Sequence, residues 1–299
     1  MNLVVGISQQ AKKDYLLELI KNGVSDFFIG YVPDYWSKKY GFEISGNRRY
    51  DHICQFIDLD KLKETADLLH KYDRRIFLGI NDHYYIKEQL PLIDKIVAET
   101  KDLMDRYIIA WPLLIEYLRK KYPDIKINLS GEFGTYSKSA LDYASKLKVK
   151  RIIFPREVGI DEIVALVNYA RKNNYNFEFE AFIMESPCLF NGAYCFMEHG
   201  YAKPTFCNSE ANLRKLYKND QWQEDIKIEL IKNCGLCFLK DLQKAGVEFL
   251  KVPGREGMVL NSVKLLNGCL ADLNNLNRVK IKRLAQCEKN KNSGCYYEF

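Results

Sequence analysis

The chain has 299 residues, a formal net charge of +6 at pH 7 and 47% hydrophobic residues, which together allow a large hydrophobic core. No stretch approaches about 18 uncharged apolar residues, so no membrane span is predicted. The charge is mild for this length and does not by itself predict a nucleic-acid partner.

Short apolar runs alternate with segments of helical periodicity along most of the chain. The predicted strands are 3–8, 26–31, 75–81, 106–110, 125–130, 149–154, 176–182 and 248–252. The helices predicted between and after them are 11–21, 59–72, one that begins near Pro91, 112–121, 137–147, 160–172, 238–245 and 258–275. Asp58 is the predicted N-cap of the second helix, since its side chain can accept from exposed amides there.

Eight strand–helix units in this order predict an α/β fold, a parallel (β/α)8 TIM-like barrel with a cysteine-bearing insertion after strand seven. The alternative is an open flavodoxin-like sheet with a small metal domain, which eight repeats disfavour. The barrel domain is predicted to span residues 1–277, with the insertion at 183–237. Residues 278–299 are interpreted as a basic tail, in which Cys287 and Cys295 are expected to be isolated thiols or a second thiol pair.

Five of the nine cysteines lie between Glu180 and Cys237. An odd number of thiols without a secretory signal favours reduced cysteines and metal ligation over a disulfide framework. Met1–Ser8 is too short for a signal peptide and lacks its basic start. We therefore interpret it as the first strand and expect a cytosolic protein.

The spacing of these cysteines discriminates between metals. Six residues separate Cys188 from Cys195, and eleven separate Cys195 from Cys207. Only the pair Cys234 and Cys237 has the short knuckle typical of structural zinc sites. Widely spaced thiolates with one more from a distant segment suit a [4Fe–4S] cluster, with zinc, disulfides or unliganded thiols as the alternatives.

Two motifs in this region resemble those of the U32 peptidase family. Glu180-Ala-Phe182, five residues, Cys188, six residues and Cys195 resemble a Glu-x-Phe strand end that leads into a Cys-x6-Cys loop. The segments CFLKDL, from Cys237, and AGVEFLKVPGR, up to Arg255, are similar to the second motif of the family. One departure is the proline at position 253, where the family pattern has an acidic residue.

The resemblance implies a set of cluster ligands, a fold and an activity. By that alignment the ligands are Cys188, Cys195, Cys207 and Cys237, with Cys234 as an extra neighbour or as the alternative to Cys237. Family members also resemble a (β/α)8 barrel. They are tied to oxygen-independent hydroxylation of aromatic rings, in quinone biosynthesis or on RNA bases, which implies such an activity here and allows a homologous U32-type partner chain.

The catalytic face of a barrel lies at the carboxyl ends of its strands, and polar residues follow several predicted strands there. We interpret His83, Arg156, Glu180 and Arg255 as candidate catalytic residues. Each has a structural alternative: His83 as a rim residue, each arginine in a rim salt bridge with the glutamate that follows it, and Glu180 paired with Lys251 inside the barrel.

Two guanidiniums at the mouth would form a fork for a carboxylate or phosphate, so Arg156 and Arg255 predict an anionic substrate or co-substrate. Aromatic and basic residues mixed in the loop 33–50 allow a planar ring or an RNA base as the ligand. The alternatives to a hydroxylase are a non-catalytic cluster-bearing subunit of a hetero-oligomer and a zinc-stabilised barrel that binds a metabolite. A true peptidase is disfavoured, because no Ser-His-Asp, Cys-His or His-Glu-x-x-His arrangement stands out.

Overall fold

The computed structural model describes residues 1–42, 44–49, 52–184, 211–214, 225–228, 234–253, 258–284 and 297. The strands in these ranges are β1 (Asn2–Gly6), β2 (Val24–Ile29), β3 (Arg75–Ile80), β4 (Arg106–Ile109), β5 (Ile127–Leu129), β6 (Arg151–Ile153), β7 (Glu178–Phe182), β8 (Ala211–Arg214), β9 (Asp225–Ile228) and β10 (Phe249–Val252). The helices are α1 (Lys13–Lys21), α2 (Asp34–Tyr40), α3 (Leu59–Lys71), α4 (Leu90–Thr100), α5 (Pro112–Lys121), α6 (Lys138–Lys146), α7 (Ile160–Lys172), α8 (Leu239–Ala245), α9 (Met258–Ala271) and α10 (Arg278–Leu284).

Eight of the strands close into a parallel barrel in the order β1-β10-β7-β6-β5-β4-β3-β2. This confirms the predicted TIM-like barrel, and the open-sheet alternative is wrong. Each predicted strand lies in the barrel at its predicted place in the chain. The agreement has a simple cause: apolar runs buried on both faces are typical of parallel strands covered by helices.

The helix boundaries follow from local signals. Asp58 caps α3 as predicted, because its carboxylate accepts from the backbone amides of Asp60 at 2.8 Å and Lys61 at 3.3 Å. The sequence reading missed α2, which lies inside the loop after β2 and buries Trp36 completely. Among the described residues, the helices fall short of the length and hydropathy needed to cross a membrane.

The segment between β7 and α8 carries the antiparallel hairpin β8–β9, which the sequence reading also missed. Helix α10 falls within the residues interpreted as a basic tail. It buries Ile281, and the guanidinium of Arg278 lies 5.0 Å from the centre of the Phe238 ring. This part of the predicted tail therefore packs against the barrel.

The interior of the barrel holds a network of ion pairs centred on Arg151, which has no exposed surface. Its guanidinium donates to Asp26 at 2.9 Å, to Glu178 at 2.8 Å and to Glu180 at 2.7 Å. Lys251 donates to the second oxygen of Glu180 at 2.8 Å, which is the pairing predicted as the alternative to a catalytic role for Glu180. Every carboxylate of this network thus has a cationic partner.

Two further arginines complete the network at the amino ends of the strands. Arg75 binds Asp26 through two hydrogen bonds of 2.8 and 3.0 Å, and Arg106 binds Glu178 through two of 2.7 Å. Burial alone would raise the pKa of Glu178, but the hydrogen bonds and charges of Arg106 and Arg151 lower it to about 2. Glu178 and Glu180 lie on the same face of β7, since both bind Arg151.

The first prediction concerns Arg151. Arg151→Met should lower the free energy of unfolding by about 3–5 kcal/mol, because it leaves Asp26 and Glu180 buried without their shared partner. Urea unfolding at pH 7 measures the loss. Arg151→Lys keeps the positive charge but loses the planar fork, so its free energy of unfolding should lie between those of wild type and Arg151→Met. The control Lys63→Met removes an exposed pair with Asp60 and should cost under about 1 kcal/mol. A similar small cost for Arg151→Met would contradict the central role of this side chain.

Candidate functional site

The carboxyl ends of the barrel strands open into a pocket, which we call the mouth pocket. It lies where the loops after the strands form the active sites of this fold. The residues around it come from the carboxyl halves of seven strands and from the loop after β2. They include Phe28, Arg48, Asn81, Ser130, Glu132, Arg156, Phe182 and Lys251.

Arg49 holds the loop after β2 against the barrel at the edge of the pocket. Its guanidinium donates to the backbone carbonyls of Ile7 at 2.7 Å, Phe28 at 3.0 Å and Cys54 at 3.0 Å. The side chain of Gln55 packs closely against Gly30, since a Cβ added at Gly30 would lie only 2.1 Å from Oε1 of Gln55. The cation of Arg49 therefore serves mainly to hold the loop on the barrel.

A chain of hydrogen bonds joins this loop to the ends of β3 and β5. The amide of Arg48 donates to Oδ1 of Asn81 at 3.3 Å, and Nδ2 of Asn81 donates to Oγ of Ser130 at 3.3 Å. Ser130 in turn accepts from the amide of Glu132 at 3.3 Å. These bonds bring three segments that are distant in sequence to one wall of the pocket.

His83 and Glu132 form a hydrogen-bonded pair at this wall, with 2.9 Å between Nε2 and Oε2. Arg48 lies between two carboxylates, 3.7 Å from Glu132 and 3.7 Å from Asp82. Burial alone would raise the pKa of Glu132, but the His83 hydrogen bond and the charges of Arg48 and Arg156 lower it to about 2. Glu132 is therefore a carboxylate at neutral pH. Burial raises the pKa of Asp82, although Arg48 and the His83 amide oppose that shift.

The opposite wall pairs cations with aromatic rings. The guanidinium of Arg156 lies 4.1 Å from the centre of the Phe182 ring, and Nζ of Lys251 lies 3.8 Å from the centre of the Phe28 ring. Such contacts hold a cation beside a flat apolar surface. Burial lowers the pKa of Lys251, and the neighbouring Glu180 only partly offsets this shift. This wall can accept a planar group that carries negative charge.

The four predicted catalytic residues occupy different places. Arg156 lines the mouth pocket, and His83 contacts Glu132, which also lines it. Glu180 lies in the barrel interior, where it binds Arg151 and Lys251. Arg255 lies outside the described residues. The sequence reading gave no individual role to Arg48 or Glu132, although both follow predicted strands, which is the signal that could have identified them.

Three of the predicted cluster ligands, Cys188, Cys195 and Cys207, lie outside the described residues. Cys234 and Cys237 are described, and Cys237 is buried. Within the described ranges, no group of three or more His, Cys, Asp or Glu side chains is placed to hold a metal ion.

The segment that carries Cys234 and Cys237 returns to the end of β7. Cys234 forms an antiparallel bridge with Met184, and the Gly235 amide donates to the Ile183 carbonyl at 2.7 Å. The two ends of the insertion therefore meet at the carboxyl edge of the barrel. The thiol of Cys269 on α9 is buried nearby, and burial, followed by the charge of Cys237, raises its pKa.

The fold defines a (β/α)8-barrel protein with a polar pocket at the carboxyl ends of its strands. The model of peptidase family U32 matches residues 16–292, and the chain belongs to this family. The solved structure of the U32 peptidase Mk0906 superposes with a TM-score of 0.51 over 86% of this chain and 94% of that one. At 10% identity, this likeness shows the fold alone.

Curated relatives match a smaller part of the chain. The tRNA hydroxylation protein P of Helicobacter pylori (strain J99) is 28% identical over 132 residues, 44% of this chain and 30% of that protein. The protein of the same name from Haemophilus influenzae is 26% identical over 147 residues, 47% of this chain and 29% of that protein. The matched region thus spans under a third of the length of each of these relatives.

The second prediction uses the lowered pKa of Glu132. A carboxylate whose pKa is below its unfolded value stabilises the fold fully above about pH 4.5 and loses that contribution as the pH falls towards about 2. Glu132→Gln should therefore lower the free energy of unfolding at pH 7 by up to about 3 kcal/mol, at about 1.4 kcal/mol per pKa unit.

Urea unfolding at pH 7 and at about pH 2.5 checks this, since the difference between wild type and Glu132→Gln should shrink in acid. The control is Glu64→Gln on the exposed face of α3, which should change stability by at most about 0.5 kcal/mol. A difference for Glu132→Gln that stays constant with pH would show that this carboxylate is not held in its charged form.

Proposed function

We propose that this protein is an iron–sulfur member of peptidase family U32 that acts in the oxygen-independent hydroxylation of an aromatic ring or an RNA base. Membership of the family and two relatives named tRNA hydroxylation protein P support the reaction class. The position of the mouth pocket supports a site at the carboxyl ends of the strands.

The observation that carries the cluster part of the proposal is the meeting of the two ends of the insertion at β7. The bridge from Met184 to Cys234 places the Cys237 segment beside the point where the chain leaves towards Cys188. A cubane needs four thiolates, which different segments can supply when they converge. The burial of Cys237 fits this role, because a shielded thiolate ligand is protected from exchange with water.

The proposed ligands are Cys188, Cys195, Cys207 and Cys237. A [4Fe–4S] cluster bound by them supplies one-electron redox chemistry, which the amino-acid side chains of the pocket lack. The tasks left to the chain are to bind the ring, to orient it and to exclude water. Phe182 and the Arg156 guanidinium that lies over it form a flat wall suited to binding a ring.

The same pocket suits a ligand with negative charge. Arg156 lines the pocket, and Arg48 enters it from the loop after β2. The contacts of Arg48 with Asp82 and Glu132, at 3.7 Å, are longer than the 2.7–2.9 Å pairs of Arg151 in the barrel interior. Guanidinium groups at the mouth can offer an anion planar, charge-assisted hydrogen bonds. Arg255 remains a proposed third cation.

The third prediction tests the cluster ligands. Replacing any one of them by serine should remove most of the iron, because the cubane depends on each thiolate. Anaerobic purification, iron and sulfide analysis and visible absorption spectra of each variant measure this. The variants expected to lose iron are Cys188→Ser, Cys195→Ser, Cys207→Ser and Cys237→Ser. The control variants, expected to keep it, are Cys54→Ser, Cys269→Ser and Cys295→Ser.

Cys234→Ser tests the register of the second motif. Loss of iron in this variant, with iron retained in Cys237→Ser, would assign the fourth ligand to Cys234. A wild-type protein that is colourless and contains zinc would overturn the cluster proposal as a whole.

The fourth prediction concerns the anion. Arg156→Lys and Arg255→Lys should each weaken binding of benzoate or inorganic phosphate about ten- to a hundredfold and leave the iron content unchanged. The reason is the loss of a planar, charge-assisted hydrogen bond, worth about 1.5–3 kcal/mol. Calorimetric titration of both probes measures the affinity. Arg74→Lys, at the amino end of the barrel, is the matched control, and equal affinity in all the variants would assign the two arginines to the rim.

A further inference from the structure

Tyr297 is buried against the end of β7, although it lies far along the chain from that strand. Its hydroxyl donates to the backbone carbonyl of Phe182, the last residue of β7, across a sequence separation of 115 residues. Its ring meets the Phe238 ring edge-on, with centroids 5.6 Å apart. Tyr297 thus contacts both the strand that leads into the cysteine-bearing insertion and the segment that leaves it.

The contact with the segment from Cys234 to Phe238 is close. A Cβ at Gly235 would lie 2.9 Å from the Tyr297 ring, 3.1 Å from Cδ1 of Ile183 and 3.2 Å from its carbonyl oxygen. Gly235 is therefore held between the tyrosine ring on one side and the end of β7 on the other. Cys237, two residues later, is buried in the same turn.

The hydroxyl group has a defined task at this position. Phe182 ends its strand, and its carbonyl needs a donor once the ladder of barrel hydrogen bonds stops. The Tyr297 hydroxyl supplies that donor, while its ring covers the turn. Helix α10 supports the same turn, since Arg278 lies over the other contact ring, Phe238. Hydrogen bond and ring together hold the turn against β7.

We propose that Tyr297 is a positioning residue that holds the Cys234–Phe238 turn against β7 and shields Cys237, so that a cluster bound there resists loss in air. The part about the cluster rests on the proposed function, whereas the shielding of Cys237 does not. A side chain that only packed would change the overall stability of the barrel without a specific effect on Cys237.

The first arm of the test needs no metal. Apo protein is treated with iodoacetamide, and the labelling rates of Cys237 and Cys54 are followed by peptide mass spectrometry. Tyr297→Ala should raise the rate at Cys237 about tenfold, since labelling of a buried thiol requires local opening, and leave the partly exposed Cys54 unchanged. Tyr297→Phe keeps the ring, so its rate of Cys237 labelling should lie between those of wild type and Tyr297→Ala. Tyr72→Ala, at an exposed tyrosine after α3, is the matched control.

The second arm uses anaerobically purified protein. On exposure to air, the visible absorption of the cluster should decay several times faster in Tyr297→Ala than in wild type or Tyr72→Ala. Equal labelling of Cys237 in wild type and Tyr297→Ala would overturn the shielding role, and equal decay rates would overturn the protective role. If the wild-type protein contains no iron, the proposed function and the protective role are both wrong. The labelling arm would still decide whether Tyr297 shields Cys237.

Discussion

The arrangement of this barrel depends on the buried guanidinium of Arg151. Barrel interiors of this kind are usually filled by aliphatic side chains, and a charge in their place costs several kcal/mol of desolvation. Arg151 offsets that cost by hydrogen bonds to three carboxylates, and these carboxylates, led by Glu180 and Asp26, raise its pKa against the effect of burial. Because Glu180 also binds Lys251, the network fixes the position of an ammonium group beneath the mouth pocket.

Above this network, similar residue types serve different purposes according to their partners. The guanidinium of Arg49 donates to three backbone carbonyls and so holds a loop in place. Arg48, the preceding residue, reaches the pocket and lies 3.7 Å from the carboxylates of Asp82 and Glu132. Glu132 stays ionised because His83 and two arginines surround it. The mouth therefore combines a fixed frame with charged groups that a ligand can engage.

The carboxyl edge of β7 joins this pocket to the cysteine-bearing insertion. Phe182 presents its ring to Arg156 in the pocket and its carbonyl to Tyr297 on the other side. The chain after Ile183 leads into the insertion and returns beside Met184. One strand end thus contacts the wall suited to binding a ring and the segment proposed to hold the cluster. This proximity is what a redox cofactor serving a substrate in the pocket requires.

The amino-acid sequence by itself determined the barrel, its eight strands, most of its helices and the Asp58 cap. These features follow from local periodicity and capping, in which each residue reports on its near neighbours. The family resemblance also came from the sequence, because the cysteine spacing is a local pattern. Helix α2 was missed since its short aromatic and basic segment lacks a clear apolar stripe.

Only the tertiary structure decided which polar side chains meet. Asp26 and Arg151 are 125 residues apart, His83 and Glu132 are 49 apart, and Phe182 and Tyr297 are 115 apart. No periodicity links such positions, because their contacts depend on how the strands are ordered around the barrel and how far each loop reaches. For the same reason Glu180, which the sequence offers as a candidate catalytic residue, is revealed by its partners Arg151 and Lys251 as part of the buried frame.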